Sequence, residues 1–239
     1  MSISENLAAV KARMARAAAR VGRNPEEVTL VAVSKTFSAE HIREAFAAGV
    51  RHFGENRVQE WEGKFSQVAD LDATWHLIGH LQSNKARRAA NLFHAIDSVD
   101  SLSLAQKLDR AYTECIADIQ ADTRALSRLP VLIEVRLSPE LTKSGVHAHE
   151  LPALADAILA LPHLELRGLM TIPPLLNNPE DVRPCFRRLR ELRDGLSAHL
   201  GCPLSVLSIG MSHDFEVAIE EGATQVRIGS AVFGERGAK

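Results

Sequence analysis

The chain has 239 residues, 46% hydrophobic and 24% charged, a balance ordinary for a globular protein with a sizeable core. Its net charge of −2 argues against a large non-specific nucleic-acid surface, which carries a strong basic excess. Three cysteines (Cys115, Cys185 and Cys202) are odd in number, widely spaced and without a C-x-x-C pair, so a disulfide framework or cysteine zinc site is not expected and a reducing compartment fits. With no signal-peptide apolar core and no run of ~18 apolar residues, the reading is a cytoplasmic protein that does not enter a membrane.

In chain order, Leu7, Val10, Met14, Ala17 and Val21 recur at three- and four-residue steps, which predicts an amphipathic helix over 2–21 ended by Gly22 and Asn24-Pro25. Short β-rich runs then alternate with helical patterns. Strands are predicted at 29–35, 50–54, 74–79, 93–98, 131–137, 164–171, 204–209 and 225–228. Helices are predicted at 38–48, 56–69, 83–91, 100–117, 147–161, 179–199 and 212–221. Residues 118–130, with Asp118, Asp122, Thr123, Arg124 and Pro130, read as a polar helix extension or loop. Residues 172–179 read as a loop, because three prolines suit neither a helix interior nor a central strand. Eight strands separated by helices, with no repeat or composition shift, predict one domain over 1–239: an α/β protein built as a single TIM-type (β/α)8 barrel with an extra N-terminal helix.

Lys35 closes the apolar run Thr29-Leu-Val-Ala-Val-Ser-Lys35, the pattern of a strand buried on both faces. An amine at the carboxyl end of such a strand lies where α/β folds bind ligands, and desolvation there would make it nucleophilic, as Schiff-base chemistry requires. The alternative is a surface lysine capping a strand.

Two junctions near the end of the chain add to this. Val206-Leu-Ser-Ile-Gly210 runs into Met211-Ser212-His213-Asp214, with Ser212 the expected helix N-cap, and Gln225-Val-Arg-Ile-Gly229 runs into Ser230. Each places backbone N–H groups at a helix start, which favours an anion, and barrels often hold phosphate after strands 7 and 8. The competing reading makes the glycines turns and the serines caps. A reactive amine beside a phosphate cradle suggests pyridoxal phosphate (PLP), and a phosphorylated sugar is also compatible. Arg227, inside the last strand, needs an acceptor because its guanidinium stays charged.

Several segments together resemble the pyridoxal phosphate homeostasis proteins: Val33-Ser-Lys-Thr36, His52-Phe-Gly-Glu-Asn56 with Val58-Gln59-Glu60, Trp75-His-Leu-Ile-Gly-His-Leu-Gln-Ser-Asn-Lys85, Lys143-Ser-Gly145, Arg167-Gly-Leu-Met-Thr171, Gly210-Met-Ser-His-Asp214 and Val226 through Arg236. The matches span almost the whole chain in order. The resemblance implies the PLP-binding barrel of bacterial alanine racemases (fold type III) with the cofactor held covalently, as an aldimine, on Lys35. It further implies Arg227 at the pyridine nitrogen, Ser212, Gly229 and Ser230 at the phosphate with Met211 beside them, and Asn56 and His76 along the ring's other edge. The sequence departs at Arg136, where family members often carry asparagine.

An arginine at the ring nitrogen keeps that nitrogen unprotonated and weakens the cofactor as an electron sink. A racemase also needs an acid or base on each face of its substrate. In alanine racemases the second comes from a tyrosine on a further domain across a dimer; here the only tyrosine, Tyr112, falls in a predicted outer helix. The expectation is therefore a PLP carrier in intracellular PLP homeostasis, without an efficient reaction or catalytic residues of its own, with apo PLP-dependent enzymes as its recipients. The alternatives are a racemase-like PLP enzyme and a phosphosugar enzyme. Lack of the dimerising domain points to a monomer. His76 and His80 share a strand face without a third ligand, so no metal site is assigned. His213-Asp214 lies in a helix first turn, where Asp214 suits the macrodipole. The arginines of 179–199 are interspersed with acids and read as a solvated face, and Lys85, Arg87 and Arg88 read as surface helix.

Overall fold

The structure, a computed structural model, describes residues 2–119, 128–137 and 144–234, with 115–119 described by their backbone alone. Most of the expected polar segment 118–130, together with Ser138, Pro139, Lys143, Glu235 and Arg236, lies outside the described residues or their described side chains. Eight parallel strands close into a barrel in sequence order, the last pairing with the first. They are β1 (Thr29–Val33), β2 (His52–Glu55), β3 (Thr74–Leu77), β4 (Ala95–Val99), β5 (Leu129–Glu134), β6 (Leu164–Met170), β7 (Val206–Ser208) and β8 (Gln225–Ile228).

The helices follow the expected alternation. After α1 (Ile3–Arg20) come α2 (Ala39–Ala47), α3 (Val58–Phe65), α4 (Ala86–Leu92), α5 (Leu102–Ile119), α6 (Leu151–Leu159), α7 (Arg183–Leu200), α8 (Phe215–Glu220) and the short α9 (Ser230–Phe233). Helix α1 starts with a capping box between Ser2 and Glu5 and buries Leu7, Val10 and Met14. Val21, expected on that apolar face, is the C-cap and is exposed. The Asn6 side chain donates to the Val232 carbonyl at 3.1 Å, so α1 braces the short helix after β8.

Alternation along each strand separates two interiors. Outward residues such as Ala32, Phe53, Trp75, Leu77, Ile96, Ile133, Leu207 and Val226 join the core between barrel and helices. Tyr112 on α5 belongs to that outer layer. The inner set is unusually polar: His76, Asp97, Glu134, Ser208, Gln225 and Arg227 are all buried. Gly168 permits the close approach of β6 and β7, since a Cβ there would sit 1.8 Å from the Val206 carbonyl oxygen. The arginines of α7 pair with acids: Arg188 meets Glu191 on the exposed face, Arg183, Arg187 and Arg190 reach the Glu221 carboxylate, and Arg183 also meets Glu220, tying α7 to the end of α8.

Candidate functional site

Lys35 sits half-buried in the turn after β1, at the carboxyl end of the barrel, and that turn is held from both sides. Ser34 donates its N–H to the Gly54 carbonyl at 3.0 Å and its hydroxyl to Glu55 at 2.7 Å. The Lys64 ammonium on α3 donates to the Ser34 and Phe37 carbonyls and to the Glu55 and Glu60 carboxylates. Glu60 in turn accepts the Thr36 N–H at 2.5 Å. Thr36 has φ 68°, a left-handed conformation a β-branched residue adopts only where its surroundings impose it. Burial pushes the Glu55 carboxyl above the usual carboxylate range, against the opposing pull of Lys64.

The two glycine junctions meet through Ser212. Gly210, at φ 91°, turns the chain out of β7 so tightly that a Cβ would lie 2.6 Å from that of Ala218. In the turn that follows, the Asp214 carboxylate accepts the Met211 N–H at 2.6 Å, and α8 begins only at Phe215. Ser212 is therefore not the N-cap of the expected helix 212–221. Its hydroxyl instead crosses to the next junction and accepts the N–H groups of Gly229 at 3.2 Å and Ala231 at 3.4 Å. The neighbouring Ser230 is exposed. Two donors thus already converge on one oxygen, the arrangement a phosphate oxygen requires. This cluster borders Lys35: Gly229 packs on Val33, and Phe37 stacks on Phe233 with ring centroids 4.8 Å apart.

Arg227 is buried in β8, level with Val31 of β1. Its Nη1 donates to the Ser208 carbonyl and hydroxyl at 2.8 and 2.7 Å, and its Nη2 to the Thr171 carbonyl at 2.8 Å. Burial lowers its pKa, opposed by the charges of Asp97, Glu134 and Asp214.

Asn56 occupies the bend after β2 at the same end of the barrel, its carbonyl packed so closely on Gly79 that a Cβ there would lie 2.4 Å from that oxygen. His76 is placed differently. It is the third of four residues in β3 and faces the barrel interior, where it meets His52 at 3.1 Å and Asp97 at 3.3 Å. All three line a cavity of about 690 Å³ with Thr29, Thr74 and Gln225, each the first residue of its strand. Most of that lining comes from the amino-terminal ends of the strands, and His76 reaches it from the barrel interior. Burial, with the neighbouring His76, lowers the His52 pKa to about 4.

Sequence reading passed over Glu55, Lys64, Asp97, Ser208 and Gln225. One signal was available: polar residues two apart within buried strands, as in Gln225 and Arg227, mark a polar face turned into the barrel. At Arg136, the departure from the family pattern, the guanidinium contacts the His147 ring and the backbone N–H pairs with the Val146 carbonyl.

A closed parallel barrel with a lysine turn after its first strand and converging N–H groups after its last two defines the barrel class of the alanine racemase N-terminal domain, whose family profile matches residues 6–237. More narrowly, the chain belongs to the pyridoxal phosphate homeostasis protein family. It is 46% identical to the member from Aquifex aeolicus over 99% of both chains, and 43% identical to that from Escherichia coli K12 over 98% of this chain and 97% of the other. Among solved structures it is similar to PipY of Synechococcus elongatus PCC7942 with PLP bound (38% identity, TM-score 0.82, covering 98% of this chain and 100% of that one). Alanine racemase from Corynebacterium glutamicum, at 19% identity and TM-score 0.69, shares the fold over 96% of this chain and 59% of its own.

Proposed function

We propose that this chain binds PLP at the carboxyl end of its barrel, holds it covalently through the Lys35 amine, and buffers or supplies it within the cytoplasm to apo PLP-dependent enzymes, acting as a monomer. The observation that carries this reading is the Ser212 hydroxyl receiving the Gly229 and Ala231 N–H groups beside the turn that bears Lys35. Family membership and PLP bound to PipY support the choice of ligand. When bound, PLP supplies an aldehyde that condenses with amines and a ring that withdraws electrons.

The chain's own residues divide the work of holding it. Ser212, Gly229 and Ser230, with Met211 shaping their turn, take the phosphate, and Lys35 retains the aldehyde carbon. Arg227 would meet the ring nitrogen; because a guanidinium only donates, that nitrogen would stay an acceptor and electron withdrawal would be weak. Asn56 would lie along the ring edge. Tyr112, packed in the outer layer, is not placed to act as an acid or base at the barrel mouth. Holding and release, rather than turnover, is the role these groups suit.

Purified protein given PLP should develop a visible absorbance band that borohydride bleaches, with the mass increment on the peptide containing Lys35. Lys35→Ala should lose both the band and the trapped mass. Protein that stays colourless with excess PLP, or a wild-type adduct on a different lysine, would overturn the assignment.

A further inference from the structure

Arg227 poses a problem that its direct contacts do not solve. It is 3% exposed, yet its hydrogen-bond partners, the Ser208 carbonyl and hydroxyl and the Thr171 carbonyl, are all neutral. A buried guanidinium needs a compensating negative charge. Three carboxylates face it: Asp97 on β4, Glu134 on β5 and Asp214 in the turn before α8. Glu134 accepts from the Ser144 hydroxyl and Asp214 from the Met211 N–H, and burial pushes both carboxyls toward their neutral form.

Asp97 differs because hydrogen bonds join it to Arg227. The Gln225 amide nitrogen donates to the Asp97 carboxylate at 2.6 Å and to the Ser208 hydroxyl oxygen at 2.9 Å, and that oxygen also accepts from Arg227 Nη1. A carboxylate only accepts, so the Gln225 NH₂ must face Asp97, and its second hydrogen is then committed to Ser208. Every hydrogen bond between Asp97 and Arg227 therefore has one allowed direction. On its other side Asp97 meets His76, which meets His52, so the chain of contacts runs from the amino-terminal cavity to the arginine.

We propose that Asp97 is a positioning residue of the cofactor site: through Gln225 and Ser208 it fixes the Arg227 guanidinium and supplies the charge that balances it inside the barrel. This rests on the reading that the site takes PLP with Arg227 at the ring nitrogen. Asp97 touches no ligand in this scheme. Its loss loosens the donor the ring nitrogen meets and alters the electrostatics that nitrogen experiences.

The test uses full-length wild type, Asp97→Asn and Gln225→Leu. Asp97→Asn removes the charge but leaves an acceptor oxygen; Gln225→Leu cuts the link and leaves Asp97 its histidine partner, which keeps the test open should the first variant not fold. Spectrophotometric titration should show PLP bound about tenfold or more weakly in both, the loss typical of a hydrogen bond to a charged group. The absorbance of the bound cofactor followed from pH 6 to 9 should have its midpoint displaced. A merely structural role would lower the Tm of the cofactor-free protein without displacing that midpoint. Unchanged affinity and an unchanged midpoint in a folded variant would overturn the proposal while leaving PLP binding standing. A wild type that takes up no PLP would overturn the cofactor reading and this proposal with it.

Discussion

At the scale of single residues, chemistry in the barrel follows from which side chains share its interior. His52 illustrates the point. Burial holds its pKa near 4, against an ordinary value of 6.5. Between those values the unfolded chain takes up a proton that the folded chain refuses, so this residue makes stability fall as pH drops from about 7 toward 4. Glu55, Glu134 and Asp214 have raised pKa values and contribute with the opposite sign in an overlapping range. Wild type and His52→Gln compared by thermal unfolding from pH 7 to pH 4.5 separate the two, because the carboxylates are common to both. The wild type should lose relatively more Tm on acidification; parallel curves would show that His52 is protonated alike in both states.

Among the elements, the turn after β1 depends on α3 more than on its own sequence. Val33-Ser-Lys-Thr36 could be read as a strand end, but nothing local explains why Thr36 takes φ 68°. The explanation lies in Lys64 and Glu60, which grip the turn's carbonyls and its Thr36 N–H. Lys64→Met leaves the Glu55 carboxylate, 1% exposed in its side chain, without its cation. Breaking a buried pair in this way should cost about 3 kcal/mol in urea unfolding. It should also loosen the Lys35 turn, read as faster borohydride trapping or faster PLP release. A variant with wild-type stability and release rate would show that the clamp is not what holds the turn. At α8 the cause lies within the turn itself. A helix from Ser212 was the local expectation, yet Asp214 ties back to Met211 and delays the helix to Phe215, which frees Ser212 to cross to Gly229.

For the whole molecule, a ligand that binds only the folded chain must stabilise it. PLP at 100 times its dissociation constant should add about 2.7 kcal/mol, which for a chain of this size raises Tm by roughly 5–10 °C. Lys35→Ala should keep only a small part of that rise, from phosphate contacts alone. Equal shifts in wild type and variant would place the stabilising site elsewhere. Delivery is a property of the same scale: handover from the loaded protein to an apo-enzyme should proceed at a rate independent of an added PLP scavenger if it is direct, and fall with scavenger if PLP is released first.

The order of strands and helices, the amphipathic α1, the position of Lys35 at a strand end and the paired glycine–serine junctions are all legible in the chain. Each is written in periodicity or spacing over a few residues, which a chain carries whatever its neighbours do. Closure of the barrel decided the rest. It set Gln225 against Asp97, 128 positions away in sequence, and brought Ser212 under the N–H groups of the next strand's loop. It also set His76 between His52 and Asp97 in the barrel interior. Strand register fixes these pairings, and register belongs to the closed sheet rather than to any one of its strands.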